Sequence, residues 1–456
     1  MSSPNVSNSN SNQSSDPTNP SPQSDRFRWV WLTFGLTGVA IVSAAAGALL
    51  AVALASTPLL QSNLSPEEAD VFEQDDISSA DFRLPRLTRP VNILVLGIKV
   101  ISSDLQNPPP ELQDLGYHSL VNSFEGLSDT MMLIRFTPDT QELNVLSLPR
   151  DTRTWVDGIG TTKLNEANIY GGPALTAQTV SELLGGVGID RYVRINVQGV
   201  EKLIDALGGV TVYIPEDMQY TDESQHLYID LEQGEQHLDG EQAIQFLRFR
   251  YDVYGDIGRV QRQQMFMRAL VEQTLSPRTV ARLPKILSVI QSHVDTNLSV
   301  EELIALVGFA SQADRSDTNM LMLPGDFSSP GDYDLSYWIP NQERIDEMVR
   351  QHFLSGSSYA EQVDPEYLRV AIQDSTGQPE AVNTLIDQLN DAGYWNVSVE
   401  SDWEEPLSQT RIIAQQGDST SADAIRSALG VGEVRVESTG VLQSDVTIQL
   451  GRDWMR

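Results

Sequence analysis

The sequence contains one long stretch without a charged residue, from Trp29 to Pro66. Residues 29–55 are a largely apolar run of 27 residues, longer than the ~20 residues that a helix needs to cross a bilayer. A buried core helix of this length is normally amphipathic, and a cleaved signal peptide has an apolar region of about 7–15 residues. Although residues 51–57 resemble a cleavage region, we predict an uncleaved transmembrane helix over residues 29–57.

The charges on either side of this run predict its orientation. Arg26 and Arg28 precede it, whereas the residues between it and Arg83 carry only negative charges. Because positive residues stay on the cytoplasmic side, we expect a single-pass plasma-membrane protein whose chain beyond about residue 60 is extracytoplasmic, in the periplasm or cell wall. Residues 1–28, rich in Ser, Asn and Pro, are predicted to be a disordered cytoplasmic tail, and residues 58–84 a linker.

The overall charge excludes several classes of partner. The chain has 30 basic and 63 acidic residues, a formal net charge of −33, and no cysteine. Such a surface repels DNA and anionic lipid, so any polyanionic ligand needs a local basic cluster. Without cysteine there is no disulfide framework, thiolate metal site or cysteine nucleophile.

Residues 85–355 are predicted to form one α/β domain. Apolar, β-branched runs predict strands at residues 91–97, 131–136, 143–148, 192–197, 210–214 and 319–324. Helical spacing predicts helices at residues 174–184, 200–207, 241–248, 261–275, 283–293 and 300–313, with Pro284 in a first turn and residues 326–338 as an irregular loop. Because the second and third strands resemble a hairpin with its turn at Pro138, the central sheet is expected to be mixed and flanked by helices.

Basic residues are concentrated near the middle of the chain. Five arginines fall within 21 positions: Arg248, Arg250, Arg259, Arg262 and Arg268. They either form salt bridges with the surplus carboxylates or line a pocket for a polyanion, because a guanidinium binds two phosphate oxygens at once. Arg248 and Arg250 can point at one phosphate only if the chain unwinds there, and residues 251–258, with two glycines, are expected to be unwound.

Several motifs together resemble the LytR-CpsA-Psr family. They are SDTMML (128–133), LSLPRDT (146–152), KLNEANIYGG (163–172), ALGGV (206–210), QHLDGEQAIQFLRFR (236–250) and GDIGRVQRQQ (255–264). The resemblance covers residues 90–275 and implies an extracytoplasmic phosphotransferase. Such an enzyme moves a glycopolymer from a polyprenyl-pyrophosphate carrier to peptidoglycan. It implies a lipid held in an apolar tunnel, with the pyrophosphate at its mouth among arginines and Mg²⁺.

The resemblance also implies roles for individual residues. Asp129 corresponds to a metal ligand, as suits Mg²⁺, which is held by one or two carboxylates plus phosphate oxygens. The residues expected at the phosphates are Arg150, Lys163, Arg248, Arg250, Arg259 and Gln263. Asp256 is either a base or a residue that orients Arg259, and Asp151 orients Arg150 or closes its turn. Arg262 is expected to be structural, and His237 and Asp239 to start a helix.

Two positions depart from the family pattern. The family usually carries a metal-binding Asp after the first strand, where this chain has Lys99, and an Arg before Ser-Asp-Thr, where it has Leu127. Lys99 could instead bind phosphate, and Asp104 could supply the missing carboxylate. A weakened or altered Mg²⁺ dependence is therefore expected.

The C-terminal part resembles a second unit. Residues 356–366 are predicted to be a linker, and residues 367–456 show the order β-α-β-β-α-β-β. The stretches at 369–377 and 446–454 resemble the LytR C-terminal domain, for which a binding or positioning role is the default expectation.

Three functional hypotheses follow. The first is a membrane-anchored glycopolymer–peptidoglycan phosphotransferase of cell-envelope assembly. The second is a non-catalytic binder of polyprenyl pyrophosphate with the same fold, suggested by Lys99 and Leu127. The third is an envelope-related transcriptional attenuator, against which the outward topology and the charge of −33 argue, since no nucleic acid is expected to bind.

Overall fold

The computed structural model describes residues 59–73, 75–79, 85–99, 124–223, 227–249, 255–274, 277–310, 312, 317–329, 331–354, 364–415 and 417–455. The predicted tail and transmembrane helix lie outside these residues, as do most of the linker 356–366, Arg250 and Asp104. Among the described residues, none of the helices combines the length and apolarity that a bilayer span requires.

Twenty-one strands and ten α-helices make up the described chain. The strands are β1 (Ser78–Ser79), β2 (Arg86–Leu87), β3 (Val91–Lys99), β4 (Leu127–Thr137), β5 (Glu142–Ser147), β6 (Arg153–Val156), β7 (Gly160–Lys163), β8 (Arg191–Asn196), β9 (Val210–Ile214), β10 (Met218–Asp222), β11 (Leu227–Leu231), β12 (Gly234–Leu238), β13 (Val294–Thr296), β14 (Thr318–Met322), β15 (Gly325–Phe327), β16 (Trp338–Pro340), β17 (Val370–Asp374), β18 (Val397–Val399), β19 (Arg411–Ala414), β20 (Glu433–Val436) and β21 (Val446–Leu450). The helices are α1 (Pro66–Ala69), α2 (Ala167–Leu183), α3 (Val197–Leu207), α4 (Gly240–Arg248), α5 (Gly255–Thr274), α6 (Pro277–His293), α7 (Val300–Ala310), α8 (Gln342–His352), α9 (Pro379–Asp391) and α10 (Ser419–Leu429).

A six-stranded mixed sheet organises the main body, as predicted. Its order is β13-β8-β3-β4-β5-β14. The hairpin β4–β5 is antiparallel, whereas β8 runs parallel to β3 and β14 runs parallel to β5. The predicted strand at 319–324 therefore does belong to this sheet. The start of β4 and the ends of β3, β5 and β14 lie at the same end of the sheet, where the predicted site motifs meet.

Both faces of the sheet are covered by apolar contacts. On one face Leu94, Leu96 and Leu133 pack with Ala177 of α2 and Ile345 of α8. On the other face the contacts include Met132, Val145, Phe309 of α7 and Met267 of α5. Alternate residues of β3 and β4 thus serve opposite faces, which explains why nearly continuous apolar runs mark these strands.

Two expectations about local structure are wrong, and a third is right only in part. Residues 255–258 are helical rather than unwound, because α5 begins at Gly255 and a glycine costs a helix only about 1 kcal/mol. Pro284 lies inside α6 rather than in its first turn. A proline has no N–H for the carbonyl four residues earlier, and the exposed position of Pro284 lets water take that place. The loop 326–338 is bounded by the ladder β15–β16, in which Phe327 pairs with Trp338.

The C-terminal chain folds as the predicted β-α-β-β-α-β-β series. Its five strands have the order β18-β17-β21-β19-β20. Helices α9 and α10 contribute Leu385, Leu389 and Ile425 to a core shared with Ile372 and Ile448 of the sheet. The unit therefore has a complete hydrophobic core of its own.

Half-buried His352 predicts how stability depends on pH. It ends α8, its Nε2–H donates to the Gly417 carbonyl at 3.3 Å, and burial lowers its pKa, with Glu142 acting in the opposite direction. The unfolded chain therefore binds this proton more readily, so the free energy of unfolding should fall as the pH drops below about 6.5. His352→Gln should flatten this dependence in denaturation measured between pH 7.5 and 5, whereas the substitution of exposed His237 should not. Equal slopes for His352→Gln and wild type would contradict the prediction.

Candidate active site

The Ser-Asp-Thr motif lies at a bulge in the central sheet. Gly97 pairs with Thr130, but Ile98 pairs with Ser128, so Asp129 is the extra residue of β4. A Cβ at Gly97 would lie 3.1 Å from Thr130 Cβ, which explains a glycine at this position. A bulge bends its strand and redirects a side chain. The bulge therefore explains why the charged Asp129 can interrupt the apolar pattern of β4.

Four charged side chains form a continuous chain of contacts beside this bulge. Arg150 Nη1 lies 2.6 Å from Asp129 Oδ1, and Arg150 Nε lies 3.3 Å from Asp151 Oδ2. Lys163 Nζ contacts the other oxygen of Asp151 at 2.8 Å. Each of the four side chains is only 19–26% exposed, so these contacts are stronger than those of solvent-exposed pairs. Asp151 thus contacts both cations, as predicted for an orienting residue.

The turn that carries Arg150 is fixed by hydrogen bonds on both sides. Thr152 donates its amide and its hydroxyl to the Pro149 carbonyl, at 3.0 and 2.6 Å. The Arg150 carbonyl accepts from the Asn165 amide at 3.1 Å, and the Asp151 carbonyl from the Trp338 amide at 2.9 Å. The cations are therefore held in place before any ligand arrives, which lowers the entropic cost of binding.

A cleft opens at this charged cluster. It is partly open to solvent, and its polar lining includes Asp129, Arg150, Asp151 and Gln263. The remaining lining is mostly apolar and consists mainly of Met131, Met132, Leu148, Met267, Met322, Phe327, Trp338 and Leu442. A lining that combines charged and apolar side chains suits an amphiphilic ligand with an anionic head group.

The arginine-rich segment is described only in part. Arg248, half-buried, lies in the last turn of α4, while Arg250 lies outside the described residues. Asp256 and Arg259 lie on α5, but their side chains are outside the described part. Buried Arg262 donates to the Phe249 carbonyl at 2.6 Å and stacks on the Phe249 ring, which ties α5 to the end of α4.

Two further predictions concern this segment. Burial lowers the pKa of Arg262 to about 10, in keeping with its expected structural role. Asp239 caps α4 by accepting the Gln242 amide at 3.0 Å, which confirms it as a helix-start residue. The same expectation is wrong for His237, which lies on β12 and contacts the Gly208 carbonyl and Thr211.

The two departures from the family pattern are neighbours. Lys99 and Leu127 are direct partners in the β3–β4 ladder, one residue from the bulge. Residues at such partnered positions interact across a ladder. Their separation in the sequence does not indicate this pairing.

Some residues of the cleft carry no recognisable sequence signal. Phe327 and Trp338, which line it, flank the loop predicted to be irregular. Tyr337, beside them, lies under Lys163 Nζ at 5.5 Å from the ring centroid. Leu442 comes from the C-terminal unit. Only the tertiary fold brings these four residues to the motifs.

The donor atoms at the cleft fit magnesium only together with a phosphate ligand. In the described ranges, no group of three or more His, Asp or Glu side chains is placed to hold a metal ion. Asp129 and Asp151 are the carboxylates lining the cleft, and both contact Arg150. Mg²⁺ commonly takes one or two carboxylates and completes its octahedron with phosphate oxygens and water.

Comparison with known proteins gives a consistent picture. A sequence model of the LytR_cpsA_psr family matches residues 60–353, and one described as LytR cell envelope-related transcriptional attenuator matches residues 367–454. A relative named polyisoprenyl-teichoic acid–peptidoglycan teichoic acid transferase TagV, from Bacillus subtilis (strain 168), is 30% identical over 260 residues, 55% of this chain. This chain spans 66% of that relative, just under two thirds.

Two further matches extend this comparison. A protein named polyisoprenyl-teichoic acid–peptidoglycan teichoic acid transferase TagU, from Bacillus mycoides (strain KBAB4), is 31% identical over 232 residues, 50% of this chain and 74% of that relative. The crystal structure of B. subtilis TagV is 28% identical, with a TM-score of 0.48, and the match covers 58% of this chain and 98% of that one.

Proposed function

We propose, on the premise that this chain belongs to the LytR-CpsA-Psr family, that it transfers a glycopolymer from a polyprenyl-pyrophosphate carrier to peptidoglycan. The observation that carries the proposal is the contact chain Asp129–Arg150–Asp151–Lys163, three members of which line a largely apolar cleft. The named activity of the relatives, teichoic acid transfer to peptidoglycan, supports it.

The charged cluster suits binding of the donor. Arg150 and Lys163 are held by carboxylates, whose contacts the pyrophosphate oxygens would take over in part. A guanidinium can then bind two oxygens in one plane, whereas Lys163 adds a point charge. The apolar interior of the cleft would hold the first isoprene units of the carrier.

The reaction breaks a phosphoanhydride bond of the donor and forms a phosphoester bond to the acceptor. An acceptor hydroxyl on peptidoglycan releases its proton, and its oxygen bonds to the sugar-side phosphorus. The bond from that phosphorus to the bridging oxygen breaks, and polyprenyl phosphate leaves with the electron pair. Most of the catalysis then comes from positioning the reactants and from neutralising the charge on the leaving phosphate. Arg150 and the other arginines provide this neutralisation.

Asp129 would hold Mg²⁺ together with phosphate oxygens. The ion would supply further charge neutralisation at the pyrophosphate. Lys99 stands where the family carries a second carboxylate, so metal affinity is expected to be low. The proposal therefore includes a weakened dependence on magnesium rather than its absence.

Lys99→Asp should strengthen the dependence on magnesium. An added carboxylate at the partner position of Leu127 makes the set of metal ligands more negatively charged. The Mg²⁺ concentration for half-maximal transfer should then fall about tenfold, a change of ~1.4 kcal/mol. The measurement is a Mg²⁺ titration of the transfer rate, with Lys99→Met as the control that removes the positive charge but adds no oxygen ligand. A half-maximal concentration unchanged from wild type would contradict the prediction.

The proposal is tested by transfer with purified full-length protein. A polyprenyl-pyrophosphate-linked oligosaccharide, peptidoglycan fragments and Mg²⁺ are the reactants, and phosphodiester-linked product is measured. Asp129→Asn should abolish most of the product, and Asp139→Asn, on the exposed β4–β5 turn, should not. Retention of full activity in Asp129→Asn would remove Asp129 from the proposed site.

A second candidate function is binding of the lipid donor without turnover. Lys99 and Leu127 favour it, because a metal-binding carboxylate and a phosphate-binding arginine of the family pattern are replaced there. A binder would retain the donor tightly and release no polyprenyl phosphate with or without metal.

We also propose that residues 29–57 anchor the protein in the plasma membrane with the C-terminal units outside the cytoplasm. The charge difference on the two sides of the apolar run supports this orientation. A reporter that is active only after export should be active when it is fused to the C-terminus. If that reporter is inactive and one that works only in the cytoplasm is active, the hypothesis of a transcriptional attenuator is revived.

A further inference from the structure

The cleft of the main body receives one wall residue from the C-terminal unit. Leu442 lines the same cleft as Asp129, Arg150 and Gln263. It also packs, half-buried, against the hydrophobic core of the central sheet. The C-terminal unit is thus part of the surface that a ligand in this cleft would meet.

The loop that carries Leu442 is held rigidly. Between β20 and β21, the Val441 amide donates to Thr447 Oγ1 at 2.9 Å, and Ser444 Oγ donates to the Val441 carbonyl at 2.9 Å. Gly440 approaches its neighbours so closely that a Cβ would lie 2.5 Å from Thr447 Cβ. Because both flanks of Leu442 are fixed, its side chain is a permanent part of the wall.

Buried charges fasten this loop to the main body. Glu437, 3% exposed, forms an ion pair with Arg268 of α5, and its backbone bridges to Met320 of β14. Asp445, which is partly exposed, contacts Arg344 of α8 at 3.4 Å. The loop is therefore joined to α5, β14 and α8 of the main body.

The contact with α5 connects the loop to the proposed phosphate site. Gln263 and Met267 of α5 line the cleft, and Arg268, the next residue, holds Glu437. A helix residue and its neighbour five positions away lie about 7.5 Å apart along the axis. The C-terminal unit thus contacts α5 within two turns of Gln263.

We infer that the C-terminal unit forms part of the donor-binding site, with Leu442 contacting the isoprenoid chain of the polyprenyl carrier. This inference rests on the proposed function for the identity of the ligand. The cleft is charged at Asp129 and Arg150 and apolar where Leu442, Met131 and Met267 face it. A ligand with an apolar chain attached to an anionic head group matches both the charged and the apolar part of this lining. Leu442 is accordingly a specificity residue for the lipid rather than a catalytic residue.

Photocrosslinking tests where the lipid lies. Full-length protein in phospholipid nanodiscs is irradiated with a farnesyl phosphate that carries a diazirine on its isoprenoid chain, and then digested with trypsin. We expect label in the peptides of residues 263–268 and 436–452, which contain Met267 and Leu442, and loss of both labels with excess unlabelled farnesyl phosphate. Label in residues 263–268 without residues 436–452 overturns the inference and leaves the proposed donor site intact. Competable label in neither peptide overturns both.

Kinetic constants of variants test the energetic role. Leu442→Asp should raise the KM for the lipid donor about tenfold, which corresponds to ~1.4 kcal/mol, with kcat changed little, because it removes binding common to ground and transition states. Leu442→Ala should act in the same direction with a smaller effect. Val399→Asp, on the exposed strand β18 of the same unit, should leave both constants unchanged. An unchanged KM in both Leu442 variants, or the same rise in Val399→Asp, overturns the inference.

Discussion

Replacing Arg150 by alanine should lower the rate of transfer by about 10²–10³-fold, the cost typical of losing one preorganised donor at a developing charge. Arg150 is the cation at the cleft that contacts both Asp129 and Asp151. Its removal leaves those carboxylates facing an anionic substrate, and the lost charge neutralisation is compounded by repulsion. Both kcat and kcat/KM should therefore fall.

The neighbouring arginine provides the control for this variant. Arg153 points instead to Tyr333, 5.0 Å from the ring centroid, and Arg153→Ala should change the rate by less than about threefold, as expected for a charge outside the site. Arg150→Lys should recover only part of the rate, because an ammonium cannot bind two oxygens in one plane. Equal losses in Arg150→Ala and Arg153→Ala would mean that net charge, not the geometry at Asp129, is what matters.

Asp295→Ala should destabilise the main body by about 3–5 kcal/mol, the cost of leaving a buried charge without its partner. Arg194 and Asp295 are 6% and 3% exposed, and Arg194 Nε donates to Asp295 Oδ2 at 2.6 Å. Asp295 also accepts from Ser62 and from the Tyr192 hydroxyl. Burial, and to a smaller extent this carboxylate, raises the pKa of Tyr192 to about 12.

Denaturant unfolding of the purified protein measures this effect. The matched control is Asp423→Ala, which breaks an ion pair with Arg426 whose side chains are about half exposed and should cost no more than about 1 kcal/mol. A loss for Asp295→Ala as small as that for Asp423→Ala would show that the buried network contributes little. Since β13 is the last strand of the sheet and has only an isolated bridge to Leu60 on its outer side, the loss is expected to appear there first in hydrogen exchange.

Local sequence patterns predicted five of the six strands of the central sheet, whereas β6, β7 and β10–β13 were not predicted. Strand 91–97, hairpin 131–148 and the helix capped by Asp239 appear because apolar periodicity, turn residues and capping residues all favour the same local structure. The series in residues 367–456 follows for the same reason. The errors at Gly255 and Pro284 arose because glycine and proline weaken a helix without excluding it when packing or exposure compensates.

The composition of the site was less accessible from sequence. The motifs placed Asp129, Arg150, Lys163 and Gln263 in one functional group, and the structure brings Asp129, Arg150 and Gln263 to one cleft, with Lys163 joined through Asp151. The bulge that redirects Asp129 and the pairing of Lys99 with Leu127 depend on strand register, which no local pattern encodes. Leu442 and Trp338 reach the cleft only through long-range packing, so neither could be predicted.

The most direct test of the central claim is to count, in one reaction, the polyprenyl phosphate released and the glycopolymer joined to peptidoglycan by a phosphodiester. A phosphotransferase predicts equal amounts of the two products, no release without the acceptor hydroxyl, and loss of both in Arg150→Ala. Tight retention of the polyprenyl-pyrophosphate donor with neither product, at any Mg²⁺ concentration, would contradict the claim and identify a lipid-pyrophosphate binder of this fold.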